Sequence, residues 1–357
     1  MDVYIPLALS ILLFSLLFSN KKPILTLLAF VPLLLFIGTR VGLGVDYDNY
    51  ERIFNYQHYL DWQTYLIANI DSKFDPGFFL LLKISPDYNS LIFFSSLIYV
   101  LSVAFFFYKM LPSKSYFLAF VLWLFYPLFF ESFVAIRNSL ALSFFLLACC
   151  AKNDDQKILA VILVVVSTLF HMSGVFLMIP ILIPQKYIQQ YYSEIAVGAL
   201  SLALIFLLLP FVFPSLLRNL FAMSQNFDNV YSEYLNDTNY GIGFYIFSFF
   251  RLCFMFYIYS LLKKGVIKGW LIWFAVVTIL YYLLLMVQGV SIMYRFCIYL
   301  YFVTLIFKCY VIKLDKSTFA KVYLTLSIVY ALYNFYGLTQ GPFYEKYFHH
   351  YHSFIFN

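Results

Sequence analysis

Apolar runs recur along this chain from one end to the other, separated by short polar stretches. A spanning helix needs about 20 apolar residues, because nothing in hydrocarbon satisfies a backbone that is not helical. Runs of that order or shorter cover 3–19, 24–38, 90–109, 115–130, 133–151, 157–170, 172–184, 194–213, 244–262, 268–288, 292–311 and 318–336. Only 11% of the 357 residues are charged, against roughly 25% in a soluble domain. The expected fold is therefore an all-α polytopic integral membrane protein, one membrane domain over 1–357 with about twelve transmembrane or re-entrant helices. The first run lacks a basic leader and a small-residue cleavage site, so it reads as a retained helix. The five cysteines show no C-x-x-C spacing and read as buried small hydrophobes.

Lysine sets the expected orientation, since cytoplasmic loops collect basic residues. Lys21 and Lys22 place the first connection inside, and Lys109, Lys114, Lys152 and Lys157 follow on that side. The runs 157–170 and 172–184 read as one long helix or as a thin hairpin turning at His171. Only the hairpin keeps Lys186, the Lys263–Lys268 group and the Lys308–Lys321 group inside. Both termini and two sizeable loops, 39–89 and 214–243, then lie outside. In this arrangement every inside basic residue is lysine. Arg40, Arg52, Arg137, Arg218, Arg251 and Arg295 all fall in outer loops or outer helix halves. Arginine is favoured where a planar fork must hold an oxyanion at two points, so the split points to an anion, phosphate foremost, at the outer face. The net charge of +6 sits in short inter-helix loops and gives no argument for nucleic acid.

Several residues are candidates for chemistry. Arg137 and Asn138 open an outer half-helix, and Glu131 just before them suits an ion pair that would orient the arginine. Arg251 has apolar flanks that make snorkelling hard, and Arg295 lies one turn into another outer half-helix. His171 has an unperturbed pKa suited to taking a proton from a hydroxyl. Asp46 and Asp48 form a D-x-D, which in many glycosyltransferases holds a divalent metal on a diphosphate. The arginines can neutralise a diphosphate unaided, so no cofactor and no metal are expected. Gly38, Gly42 and Gly44 are candidates to aim backbone N–H groups at an anion. The tail cluster of His349, His350 and His352 reads as an aromatic interfacial segment rather than a metal site.

The blocks Gly38-Thr39-Arg40-Val41-Gly42-Leu43-Gly44-Val45-Asp46-Tyr47-Asp48-Asn49-Tyr50, Arg137-Asn138-Ser139-Leu140-Ala141, Phe170-His171-Met172-Ser173 and Tyr294-Arg295-Phe296 occur in that order. In this order they resemble the EpsG-like bacterial membrane proteins, which are Wzy-type polysaccharide polymerases. Asn138 departs from the family's usual Gln, and Tyr294 stands where an acidic residue is common. The resemblance implies polymerisation of oligosaccharide repeats carried on undecaprenyl diphosphate, at the outer face of the bacterial cytoplasmic membrane. It implies work beside a flippase and a chain-length regulator of the same pathway, among membrane lipids. On this reading His171 is the first-choice base, with Asp46 or Asp48 second. Diphosphate and sugar contacts fall to Arg40, Tyr50, Glu131, Arg137, Asn138, Arg251 and Arg295. Two rivals fit less well. A flippase for lipid-linked oligosaccharide needs polar lining through both membrane halves, and the inner halves carry few charges. A membrane O-acyltransferase gives no reason for so many outward arginines.

Overall fold

The computed structural model describes residues 4–18, 27–44, 46–68, 75–112, 114–126, 129–130, 135–212, 242–286, 291–340 and 351–355. Among the described residues the chain forms fifteen α-helices and one two-stranded sheet. The all-α, multi-pass expectation holds. Four stretches are long and apolar enough to cross a membrane: Tyr88–Met110, Gln185–Leu208, Tyr245–Lys263 and Phe296–Leu314. The other apolar helices are shorter, so length and composition alone do not reach the expected dozen spans. Contacts gather the chain into two compact units, Met1–Leu182 with Thr318–Asn357, and Ile183–Ser317.

The first unit holds α1 (Tyr4–Phe18), α2 (Phe30–Gly38), β1 (Arg40–Val41), α3 (Tyr47–Gln57), α4 (Trp62–Ala68), α5 (Pro76–Ile84), α6 (Tyr88–Met110), α7 (Tyr116–Leu124), α8 (Ile136–Asn153), α9 (Lys157–Phe170), α10 (Gly174–Leu182), α15 (Thr318–Gln340) and β2 (His352–Ser353). Helix α6 is its axis, with α2 and α8 packed along it. Asp87 starts this helix by accepting the Ser90 N–H at 2.7 Å, which satisfies one of the donors every helix start leaves open. Small residues let the neighbours approach. A Cβ on Gly38 of α2 would sit 3.2 Å from Phe93 Cδ2 on α6.

Helices α9 and α10 form the hairpin expected at His171 and pack against α8. Ser167 on α9 donates to the Ala141 carbonyl on α8 at 2.7 Å. The chain leaves helical geometry at His171, with φ −158° and ψ 129°. It then returns along α10 to Lys152, whose Nζ donates to the Pro180 and Ile181 carbonyls, both at 2.8 Å. A cation on the last carbonyls of a helix is well placed. At about 1.5 Å per residue, α9 is roughly 21 Å long and α10 roughly 14 Å. Both fall short of a hydrocarbon core of about 30 Å. Lys109 pairs with Asp154 at 2.9 Å, so Lys109 and Lys152 gather at the end of this unit away from Tyr88.

The polar interval 39–89, expected as a loop, is mostly helical. Tyr47, Tyr50 and Phe54 are buried at i, i+3 and i+7 of α3, while Asp48, Glu51 and Arg52 face outward. That is the pattern of an amphipathic helix. The buried face meets Tyr65 of α4, Phe78, Phe79, Leu81 and Leu82 of α5, Tyr88, Leu91 and Ile92 of α6, and Ile136 and Leu140 of α8. Each such side chain contributes about 1.5–3 kcal/mol by leaving water. The interval is thus a packed cap over one end of the unit. Beyond α15, the tail contributes β2, which pairs antiparallel with β1, Arg40 opposite Ser353 and Val41 opposite His352.

The second unit holds α11 (Gln185–Val212), α12 (Ile242–Lys263), α13 (Leu271–Met286) and α14 (Ser291–Leu314), with α13 packed against the other three. Helix α12 ends where Gly265, at φ +67°, turns the chain. There the Val266 N–H reaches the Leu261 carbonyl at 3.1 Å and Gly265 N–H the Leu262 carbonyl at 3.0 Å, a Schellman closure that needs a left-handed residue. Lys308 is buried within α14, its Nζ 5.9 Å from the Tyr282 ring centre. The expected loop 214–243 lies outside the described residues except where α12 begins.

The tightest turn gives a direct check. A Cβ on Gly174 would lie 2.9 Å from the Thr168 nitrogen and 3.0 Å from the Ser167 carbonyl carbon, whereas one on Gly198 meets nothing within 4 Å. Thermal unfolding in detergent should show Gly174→Ala destabilised by about 1–3 kcal/mol and Gly198→Ala unchanged or slightly more stable. Equal melting of the two variants would contradict the packed hairpin.

Candidate functional site

The buried face of α3 organises one end of the first unit. Tyr47 and Tyr50 are one turn apart on it, Tyr47 beside the buried Arg40 and Tyr50 beside the half-buried Arg137.

Arg40 is the first. It is 2% exposed, yet its guanidinium sits where the cap meets the helices. Nη1 donates to the Ile37 carbonyl at 2.5 Å and to Ser96 Oγ at 3.2 Å. Burial pushes its pKa down to about 10, while the phenols of Tyr88, Tyr47 and Tyr351 around it pull the other way. It is a cation at neutral pH. Arg40 lines a small, half-open cleft with Ile37, Ser95, Ser96, Tyr99, Ile136 and Ser139.

Arg137 is the second. It stands in the first turn of α8, where the helix dipole disfavours a cation and favours an anion nearby. Its Nη1 pairs with Asp75 Oδ2 at 2.6 Å, the two side chains 21% and 7% exposed. The guanidinium also lies 5.8 Å from the Tyr50 ring centre and 5.9 Å from that of Phe78, a cation–π arrangement. Burial raises the Tyr50 phenol, and Arg137 beside it works in the opposite sense. Asp75 is held in turn, its backbone N–H donating to Tyr65 Oη at 3.3 Å. Glu131, the expected partner of Arg137, lies outside the described residues. The partner that the structure shows is Asp75, which sequence reading left as one more loop carboxylate. Its only local signal is that it precedes Pro76 at the start of α5, which marks a helix start.

Asn138 is buried on α8 next to Arg137. Asp46 is half-buried just before α3, and Asp48 is exposed in its first turn. Negative charge there complements the helix dipole whatever else it does. Among the described residues no group of three or more histidines, cysteines and carboxylates is placed to hold a metal. The glycines have backbone work. Gly38 makes the close approach to α6, and Gly42 and Gly44 take φ of +65° and +107°, where other residues are strained.

His171 is half-buried at the hairpin turn. Its Nδ1 accepts the Ser173 backbone N–H at 3.1 Å and lies 3.1 Å from Ser173 Oγ. A backbone amide can only donate, so in the neutral ring the proton is on Nε2. The donor of the ring is then Nε2. Gly77 of α5 touches Leu169 of α9, where a Cβ would come within 3.1 Å. Asp75 and His171 are each two residues from that contact and share the same end of the unit. A second half-buried histidine, His58, stacks on Phe54 at 4.7 Å, and its Nδ1 lies 2.9 Å from the Leu82 carbonyl.

The structure thus gathers Arg40, Asp46, Tyr50, Arg137, Asn138 and Asp75 around the buried face of α3, and places His171 at the same end of the unit. Arg251 belongs to the second unit. It is buried, and its Nη1 donates to the Leu285 carbonyl at 2.9 Å, which caps the end of α13. Arg295 lies in the first turns of α14, and its side chain is outside the described residues. The sequence matches the EpsG family over residues 23–353, a stretch that includes both β1 and β2. No curated protein and no solved structure matches.

Arg137 and Asp75 should behave as one unit. Removing either partner leaves a largely buried charge uncompensated. A double-mutant cycle of Arg137→Gln and Asp75→Asn, read by thermal unfolding, should give a coupling of about 1–3 kcal/mol. Additive effects would show that the pair is not a working contact.

Proposed function

Because the chain belongs to the EpsG family, we propose that it is a membrane glycosyltransferase that lengthens glycans carried on a lipid diphosphate. The observation that carries this reading is the pair of arginines beside two tyrosines of one helix, Arg40 buried and Arg137 half-buried. Two cations held in place ahead of the reaction are what a departing diphosphate needs, and such preorganised charge usually contributes most to this kind of step.

In the proposed reaction the hydroxyl of an incoming lipid-linked repeat attacks the anomeric carbon of the donor chain. The new C–O bond forms as the bond from that carbon to the diphosphate oxygen breaks. The electron pair leaves on the diphosphate, and the hydroxyl proton passes to a base. Direct displacement inverts the anomeric centre. Arg137 turns from Asp75 towards the diphosphate, and Arg40 meets it from the cleft. Asp75 holds Arg137 in place while the site is empty. Arg295 and Arg251 are assigned to the substrate side by the arginine pattern alone, and Arg251 also caps α13. The tautomer of His171 revises the order of candidate bases. Its lone pair is engaged by Ser173, so His171 suits donating a hydrogen bond through Nε2, and Asp46 becomes the first-choice base.

The lipid carrier is undecaprenyl diphosphate on this reading, and the membrane is the bacterial cytoplasmic membrane. The shorter helices complete about twelve spans or re-entrant pieces, with both termini and the cap at the outer face. Lys109 and Lys152, at the other end of the first unit, face the cytoplasm. No metal takes part. A flippase of the same pathway supplies the repeats, and a chain-length regulator sets the product. Purified protein supplied with lipid-diphosphate-linked repeats should build a ladder of longer chains; no lengthening with any such repeat would remove the assignment.

Two predictions test the parts. In intact cells an impermeant thiol reagent should label Asn55→Cys on the cap and spare Gln156→Cys beyond α8 until lysis, since both positions are exposed; the opposite pattern would invert the site. In the purified enzyme Asp46→Asn should lower kcat by about 10²–10⁴-fold, the usual worth of a base. His171→Gln, which keeps a donor, should stay well above His171→Ala. A dead His171→Gln beside a nearly normal Asp46→Asn would return the base to His171.

A further inference from the structure

The tail segment that carries β2 is fastened to the Gly38–Arg40 turn more closely than two paired strand residues require. Besides the pairing of Arg40 with Ser353 and Val41 with His352, the Phe354 N–H donates to the Thr39 carbonyl at 3.0 Å. The Tyr351 ring stacks on Phe36 at 4.7 Å and 17°, and its hydroxyl donates to the Phe36 carbonyl at 3.0 Å. Thr39 and Ser353 are both buried, their hydroxyl oxygens 2.8 Å apart. The protons can be followed. Thr39 Oγ1 gives its own to the Leu35 carbonyl at 2.7 Å, so Ser353 is the donor to Thr39. Ser353 Oγ then accepts the Ile355 N–H at 3.2 Å.

This bracing falls on a stretch with little stiffness of its own. Helix α2 ends at Gly38, and the turn beyond Val41 rests on left-handed Gly42 and Gly44. A two-residue strand has no independent stability, and its backbone groups need partners once buried. The one strongly charged side chain on the stretch is Arg40, which lines the cleft.

We propose that Tyr351–Ile355 is a positioning strap, which holds the Gly38–Val41 backbone so that the Arg40 guanidinium stays in the cleft for a diphosphate. The proposal rests on the diphosphate-binding role of Arg40 and adds Tyr351 and Ser353 as positioning residues that do not touch the substrate. A loosened strap lets Arg40 swing, which weakens anion binding and leaves the bond-making groups in place.

Farnesyl diphosphate is a suitable probe because it presents the diphosphate without a glycan. A chain ending at residue 350 should bind it about tenfold more weakly than the full chain, the scale of one charge-assisted contact. A synthetic peptide of residues 351–357 should restore the affinity. Ser353→Ala, which keeps the strand and removes the two side-chain hydrogen bonds of Ser353, should lose about threefold. For glycan lengthening the same variants should raise KM and also lower kcat, because Arg40 is held less well for the departing diphosphate, and the 351–357 peptide should restore the rate of the shortened chain. A Val41→Cys, His352→Cys pair should cross-link on oxidation, and the cross-linked protein should bind the probe as the full chain does. Unchanged affinity in Ser353→Ala and in the shortened chain, or loss of binding on cross-linking, would overturn the strap. Strap-dependent probe binding in a protein that lengthens no glycan would uphold the strap and sink the polymerase reading.

Discussion

A cation withdrawn from water must be held, and in the first unit two arginines are. Arg40 is nearly sealed and Arg137 is half-buried. Leaving either charge without oxygen partners would cost more than most single contacts in the fold supply. Arg137 is met by Asp75 and two aromatic rings, and Arg40 by a carbonyl, Ser96 and surrounding phenols. Much of the neighbouring architecture serves these partners. Helix α5 begins where it does because Asp75 must reach α8. Helix α3 lies across both sites because Tyr47 and Tyr50 fall one turn apart on its buried face.

A purely structural ion pair would explain Arg137 and Asp75 but not their setting. Replacing a buried pair with hydrocarbon is often neutral or stabilising, so such a pair in a chain this rich in phenylalanine asks for another reason. The position supplies one. The N-terminus of α8, a second arginine next to the same aromatic core and a cleft lined by serines all favour an anion. In the reaction we propose, Asp75 stands in for that anion while the site is empty.

The helices were legible in the sequence because an apolar run leaves the backbone few alternatives. The hairpin at His171 was legible for a different reason: the parity of the lysine clusters demanded a turn there, and Lys152 is found at the end of α10. The cap was misread. Its composition is polar, and only the spacing of Tyr47, Tyr50 and Phe54 reveals a buried face. Asp75 was missed because its partner is 62 residues away in sequence, beyond any local pattern. The strand pairing of Arg40 with Ser353 was missed because two residues carry no periodicity. Arginine identity was the best guide to the site, and it picked out Arg40 and Arg137 while passing over the residues that hold them.

The most direct measurement is equilibrium binding of farnesyl diphosphate to wild-type protein and to Arg40→Lys, Arg137→Lys and Arg52→Lys. Lysine keeps the charge and loses the planar fork. The expected result is at least about tenfold weaker binding for the first two, the scale of one charge-assisted hydrogen bond, and no change for exposed Arg52. Wild-type affinity in both Arg40→Lys and Arg137→Lys would contradict a diphosphate site built on these two arginines.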